Sequence, residues 1–300
     1  QGSLSVLTQD IKKTTAHILG EALPYIQNFS GKIVVVKYGG SAMTEPSLQA
    51  SFARDIILMR AVGILPVVVH GGGPQIQLML DRLSIESHFI DGMRVTSSEA
   101  IEVVEMVLGG LVNKEIVQLI NNAGGQALGL TGKDVGFIRA RKLSKGQSTL
   151  DKEIGSDIDL GNVGEIEKID PRILQILSKE SIIPVVAPIG FGTNGETYNI
   201  NADEVAGSLA STLRAEKLIF LTNTKGVLDG NDQLISTLST AEVFNEIESN
   251  VISGGMIPKA LCAVKAIQRG VGSAHIIDGR TPHAVLLEIL TAEGVGTQIY

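Results

Sequence analysis

A single cysteine, nine prolines and no tryptophan in 300 residues close several routes at once. Cys262 has no intrachain partner for a disulfide, so a reducing, cytoplasmic setting is the expectation. No apolar run approaches the ~20 residues that a membrane-spanning helix needs, and no signal peptide opens the chain. The opening Gln1-Gly2-Ser3 lacks a methionine and reads as a cleavage scar. Basic residues do not predominate: 25 Lys+Arg stand against 32 Asp+Glu, a formal net charge of -7, which argues against a nucleic-acid surface. Also missing are a Walker A loop, a nucleophile elbow and any His/Cys spacing suited to a metal. There is no internal repeat and no low-complexity tract.

What is present is apolar and glycine-rich. The 44% hydrophobic share excludes a disordered chain, and the length allows one large domain or two lobes with a substantial core. Short β-branched runs, Ile33-Val34-Val35-Val36, Pro66-Val67-Val68-Val69, 182–187, 218–221 and 274–277, alternate with helical patterns. The helical patterns cover 48–62, 75–83, 202–213 and 258–269. Continuous hydrophobicity in the runs predicts strands covered on both faces, hence a mainly parallel sheet in a three-layer αβα sandwich. An amphipathic stretch at 10–29 precedes the first strand, with Pro24 predicting a kink or break. The polar segment 139–170 predicts a hairpin-rich connection, with a lobe boundary between it and Ile182. The organisation expected is an N-terminal interaction helix over 1–30, one lobe over 31–181 and another over 182–300.

The 34 glycines fall in clusters. Lys37-Tyr38-Gly39-Gly40-Ser41 follows a strand, so its backbone can approach a ligand closely beside a mobile positive charge. His70-Gly71-Gly72-Gly73-Pro74 repeats the strand–glycine–helix arrangement, and Pro74 suits a first helical position, leaving glycine amides outward as an anion site. A Rossmann fingerprint fails there, because position 76 is Ile76. His70 itself reads as structural, satisfying a loop carbonyl. Arg94, in Gly92-Met93-Arg94-Val95-Thr96, suits a bidentate carboxylate contact, although taken alone a salt bridge to a neighbouring helix is the better reading. Asn199-Ile200-Asn201-Ala202-Asp203 leads into a helix, and capping accounts for only one of its three polar residues. In Gly254-Gly255-Met256-Ile257-Pro258-Lys259 a lysine opposes the dipole of the helix it opens, a local conflict that points to an anion. With no cysteine or serine placed for nucleophilic attack, the chemistry left is charge neutralisation around phosphates.

These motifs, with Leu221-Thr222-Asn223-Thr224-Lys225-Gly226-Val227, resemble the amino acid kinase family from Lys32 to Ile299, and in particular its acetylglutamate-phosphorylating members. The resemblance implies phosphoryl transfer from ATP, with Mg2+ carried by the nucleotide, to the side-chain carboxylate of N-acetyl-L-glutamate in arginine biosynthesis. It implies that Lys37 and Lys259 stabilise the transferring phosphoryl group and that Asp203 organises both lysines. Gly72, Gly73, Arg94 and Asn199 would hold the substrate. Gly39, Gly40, Asn223, Thr224, Lys225, Gly226, Gly254, Gly255 and Met256 would line the nucleotide. A carboxylate nucleophile with a pKa of ~4.3 is already ionised at neutral pH and needs no general base. Arginine-inhibited relatives use an N-terminal helix to link dimers into a hexamer and have a C-terminal arginine pocket. His275, Glu288 and Gly294 resemble that pocket, with Lys217 and Tyr25 as further candidates. The competing readings are a sister kinase with another acceptor, such as aspartate, carbamate or a nucleoside monophosphate, and a non-catalytic sensor on the same fold.

Overall fold

The computed structural model describes residues 2–90, 92–143, 159–291 and 294–300. Helix α1 (Gly2–Phe29) leads into strand β1 (Ile33–Tyr38), helix α2 (Pro46–Ala61), strand β2 (Leu65–His70) and helix α3 (Gly73–Arg82). A hairpin of β3 (Phe89–Ile90) and β4 (Met93–Arg94) follows. Next comes a long helical rod: α4 (Ser98–Glu105), a π-helical stretch (Met106–Val112) and α5 (Asn113–Asn122). Then come β5 (Ala127–Leu130), β6 (Ile138–Lys142), β7 (Gly164–Ile169), α6 (Arg172–Lys179), β8 (Ile183–Val186), β9 (Ile189–Phe191) and β10 (Thr197–Asn199). The last third carries α7 (Ala202–Leu213), β11 (Lys217–Thr222), β12 (Thr237–Leu238), α8 (Thr240–Glu248), α9 (Met256–Gln268), β13 (Ser273–Asp278), α10 (Ala284–Leu290) and β14 (Thr297–Ile299).

One eight-stranded sheet, ordered β12-β14-β13-β11-β1-β2-β8-β5, runs through the molecule. The pairs from β13 to β5 are all parallel, and only β14 runs against its neighbour β13. Because successive strand residues point to opposite faces, β1 sends Val34, Val36 and Tyr38 into one core and Val35 into the other. The first core is closed by α2, α3, α4, α5 and α10, the second by α6, α7, α8 and α9. This is the three-layer αβα sandwich expected from uninterrupted apolar strands.

Two features depart from expectation and a third agrees with it. Helix α1 begins at Gly2 and passes through Pro24 without interruption, so the predicted break does not occur. Proline removes one backbone donor, which a long helix tolerates when the remaining turns hold it. The hairpin expected at 139–170 exists as β6 paired antiparallel with β7, in a four-stranded sheet ordered β10-β9-β6-β7, while 144–158 lie outside the described residues. The rod from Ser98 to Asn122 was legible only at its start, where the Ser97 hydroxyl caps it by accepting from the Ala100 amide. Among the described residues, no helix is long and apolar enough to cross a membrane.

Candidate active site

Parallel register brings the glycine clusters to one edge of the sheet. Lys37 pairs with Val69 of β2 and Phe220 of β11, so the loops leaving β1, β2 and β11 emerge side by side at the carboxyl ends of adjacent strands. The chain leaving β1 turns toward β2 while the chain leaving β11 turns toward the opposite edge, so the connections diverge between β1 and β11, and open α/β sheets bind ligands at such a place. Alternation along β1 puts Lys37 on the same face as Val35, toward α7 and α9.

Those two helices supply its partners. Asn201 caps α7, its Oδ1 accepting from the amides of Asp203 and Glu204, which sets Asp203 in the first turn. Asp203 Oδ2 receives Lys259 Nζ at 2.5 Å, and Oδ1 lies 3.2 Å from Lys37 Nζ. All three side chains are largely withdrawn from solvent, with 18%, 13% and 15% of their surface exposed for Asp203, Lys259 and Lys37. Burial pushes the Asp203 pKa up, but the two ammonium groups outweigh it and hold the carboxyl below its ordinary range. Burial also draws the Lys259 ammonium below its usual value, opposed by Asp203 and reinforced by Lys37. Lys37 Nζ is close to Oδ1 but is not aligned to donate to it, so that oxygen lacks a hydrogen-bond donor among the described residues. Two cations share one anion, and the surplus positive charge faces the glycine loops.

The sequence candidates for substrate gather on the other side of these loops. Gly72 packs so tightly on the π-helical stretch that a Cβ there would lie 2.6 Å from Leu108. Arg94 is buried beneath the Phe89 ring, 4.5 Å away, and its guanidinium is anchored at three points. Nη1 donates to Gln77 Oε1 at 2.6 Å and to Ser87 Oγ at 2.5 Å, while Nη2 donates to the Gly73 carbonyl at 3.2 Å. Three of five N–H groups are thereby engaged, leaving Nε–H and one Nη2–H for an incoming acceptor. Burial lowers its pKa from an already high value, and Asp81 opposes the change. Asn199 Nδ2 donates to Thr96 Oγ1 at 3.3 Å, and Thr96 donates to the Arg94 carbonyl, so Asn199 and Arg94 belong to one network.

Of the nucleotide candidates, Asn223 clasps the loop after β1 to the loop after β11, its Oδ1 accepting from the Ser41 amide at 2.8 Å. Gly40 permits this with φ +67; a Cβ there would meet that Oδ1 at 2.5 Å. Gly39 lies against the folded-back Lys37 side chain. Thr224 is tied by its amide and carbonyl to the Thr222 hydroxyl, Lys225 is exposed, and Gly226 packs on Thr297 of β14. Gly254 and Gly255 open α9 onto free space, and Met256 begins the helix.

The arginine-pocket candidates also converge, on the opposite face of the sheet. His275 Nδ1 and Glu288 Oε1 are 2.5 Å apart, Lys217 Nζ lies 3.0 Å from His275 Nε2, and the Val295 amide donates to Glu288 Oε2. Gly294 sits where a Cβ would come within 2.8 Å of Glu288. Lys217 stacks over Phe29 of α1 at 5.2 Å, and Tyr25, one turn earlier, packs on the adjoining core. Burial depresses both the His275 and Lys217 pKa values. Glu288 is pushed up by burial, yet its bonds to His275 and Val295 prevail and hold it below the ordinary carboxylate range.

Gln77, Ser87, Phe89 and Asn113 escaped sequence reading. Only the Gln77–Asp81 pair, with helical i,i+4 spacing, left a local signal; Ser87 and Phe89 meet Arg94 around the β3–β4 hairpin, and Asn113 meets His70 across 43 positions.

Comparison with known proteins places the chain in a family. Residues 32–278 match the model of the amino acid kinase family. The chain belongs to the amino acid kinase family. It is 58% identical over 293 residues to an acetylglutamate kinase of Stutzerimonas stutzeri, covering 98% of each chain. It is equally 58% identical to an acetylglutamate kinase of Chromobacterium violaceum, over 95% of this chain and 96% of the other. Among solved structures, the N-acetylglutamate synthase of Neisseria gonorrhoeae complexed with coenzyme A and N-acetyl-glutamate aligns with a TM-score of 0.82 at 25% identity. That alignment covers 95% of this chain and 63% of the synthase.

Proposed function

We propose that this kinase transfers the γ-phosphoryl group of ATP to the side-chain carboxylate of N-acetyl-L-glutamate, giving an acyl phosphate for arginine biosynthesis in the cytoplasm. The observation that carries the reading is the Lys37–Asp203–Lys259 arrangement between two glycine-lined anion sites. Two anions must be brought together, a carboxylate and a triphosphate, and their repulsion is the main obstacle. Lys37 and Lys259 lower it as charge develops on the transferring group, and Asp203 keeps both ammonium groups in position. The amides of Gly72 and Gly73, with Arg94 and Asn199, hold the acetylated amino acid. Residues 223–226 and 254–256, with Gly39 and Gly40, line the nucleotide. Residues 31–181 then contribute most of the amino-acid side and 182–300 most of the nucleotide side.

Among the described residues, no three His, Cys, Asp or Glu side chains converge on a point suited to a metal, and both Asp203 oxygens face ammonium groups. Mg2+ would arrive on the phosphates of ATP, where it neutralises charge. A coupled ADP-release assay tests the reading: N-acetyl-L-glutamate supports turnover, whereas glutamate, aspartate and carbamate do not. Equal turnover of any of these three overturns the substrate assignment.

Feedback inhibition by L-arginine is part of the same proposal. Glu288 would supply the carboxylate for a guanidinium, with Lys217, His275, Gly294 and Tyr25 as the other candidates for the site. Helix α1, whose last turn covers that pocket, exposes Ile18, Leu19 and Leu23 at 57%, 63% and 49%. An apolar stripe of this kind is buried most economically on the same helix of another subunit, linking dimers into a hexamer.

A further inference from the structure

His70 is fully buried at the end of β2, beside the substrate loop, and the proposed chemistry makes no use of it. Its two ring nitrogens are both engaged. Nε2 lies 3.2 Å from Asn113 Nδ2, and Nδ1 lies 2.7 Å from the Gly71 carbonyl oxygen. The neighbours of Asn113 decide which nitrogen carries the proton. Asn113 Nδ2 also donates to the Val185 carbonyl at 3.0 Å, and its Oδ1 accepts from Lys114 Nζ at 3.1 Å. The amide is thus oriented with its NH2 group toward His70, so Nε2 must accept and the proton sits on Nδ1. Nδ1–H then donates to the Gly71 carbonyl.

That bond has a consequence one atom further on. The Gly71–Gly72 peptide is planar and trans, so its N–H points opposite to its carbonyl. With the carbonyl drawn toward His70, the Gly72 N–H is turned the other way, toward the amino end of α3. The other polar groups of the turn are consumed: the Gly71 amide by the Tyr38 carbonyl and the Gly72 carbonyl by the Ile76 amide. The Gly72 N–H has no acceptor among the described residues. Glycine is needed at position 72, where Leu108 leaves no room for a Cβ.

We infer that His70 is a positioning residue, whose bond to the Gly71 carbonyl aims the Gly72 amide at the carboxylate of the acceptor substrate. Asn113 holds His70 in the tautomer that can make this bond. The inference rests on the acetylglutamate reading above, and it makes His70 act on the acceptor and not on ATP.

Two measurements test it. In His70→Leu the donor is lost, and the KM for N-acetyl-L-glutamate rises at least tenfold while that for ATP stays within twofold. His70→Asn places an amide N–H where Nδ1–H stood and recovers most of the loss. An unchanged acetylglutamate KM in His70→Leu, or equal increases in both constants, overturns the inference. Should His70→Leu not fold, a long-range proton–nitrogen NMR spectrum of the unaltered protein decides. The expected state has Nδ1 protonated and Nε2 bare, with the Gly72 amide resonance shifting on titration with acetylglutamate. An Nε2–H tautomer, or a Gly72 amide indifferent to the substrate, overturns it. Failure of the parent reading is distinct, because the unaltered enzyme would then not turn over acetylglutamate at all while the tautomer remains measurable.

Discussion

Single side chains in this protein carry roles that their position in charge networks fixes. On the proposed reading Lys37 and Lys259 act on charge that appears as the phosphoryl group moves, so Lys37→Ala and Lys259→Ala are each expected to lower kcat by about a hundredfold or more, with small changes in either KM. Steady-state kinetics of both variants check this; near-normal turnover in either removes it from the machinery. Arg94→Lys is expected to raise the acetylglutamate KM about tenfold or more, with the ATP constant nearly still. An ammonium cannot serve Gln77, Ser87 and the Gly73 carbonyl and still offer two parallel donors. An ATP constant that suffers instead would move Arg94 to the other site. His70 adds a pH dependence, since burial lowers its pKa from 6.5 to about 4. Between those values the unfolded chain binds a proton that the folded protein refuses, so stability falls as pH drops from 6.5 toward 4, by on the order of 3 kcal/mol at most. His275 is shifted in the same direction, chiefly by burial, and so also lowers stability as pH falls below 6.5. Denaturant unfolding across this range is expected to show a steeper slope for the unaltered protein than for His70→Asn, and equal slopes would refute the assignment.

At the scale of elements, the turns after the parallel strands matter more than the strands. Gly40 is left-handed at φ +67 with the Asn223 carboxamide pressed against the place of its missing Cβ. Gly40→Ala is therefore expected to lose about 1–2 kcal/mol of stability and to open the Asn223 clasp, which differential scanning calorimetry would register as a lower Tm. An unchanged Tm would show that the loop simply yields. These turns were largely legible: Gly39-Gly40 and Gly72-Gly73 sit at strand ends, and Pro74 stands near the start of α3 as expected. The rod from Ser98 to Asn122 was not, because Val103 to Val112 is apolar apart from Glu105 and lacks the one-sided stripe that betrays a surface helix. Strands β12 and β14 were equally silent, being short pieces that owe their extended form to pairing with each other and with β13.

For the whole molecule, the notable division is between two faces of one sheet. Lys37, Asp203 and Lys259 lie on the α7/α9 side, while Lys217, His275 and Glu288 lie on the α1/α10 side, so a ligand at Glu288 would act through the sheet itself. Helix α1 ties that second face to its exposed stripe. Removal of residues 1–29 is expected to reduce the light-scattering mass from a hexamer to a dimer, and millimolar L-arginine is expected to inhibit the full chain. A full chain that is already a dimer, or activity indifferent to arginine, would end the regulatory proposal and leave the kinase reading intact. The composition and local patterns determined, without coordinates, the αβα class, the glycine turns and the charge type of the site, because uninterrupted β-branched runs and strand-end glycines each have few physical outcomes. Which charges meet was decided only by tertiary structure. Lys37 and Lys259 are 222 positions apart and share Asp203 because parallel register and strand alternation deliver all three to one edge and one face. The tautomer of His70 likewise depends on Asn113, Val185 and Lys114, and contacts at such separations leave no periodicity in a sequence.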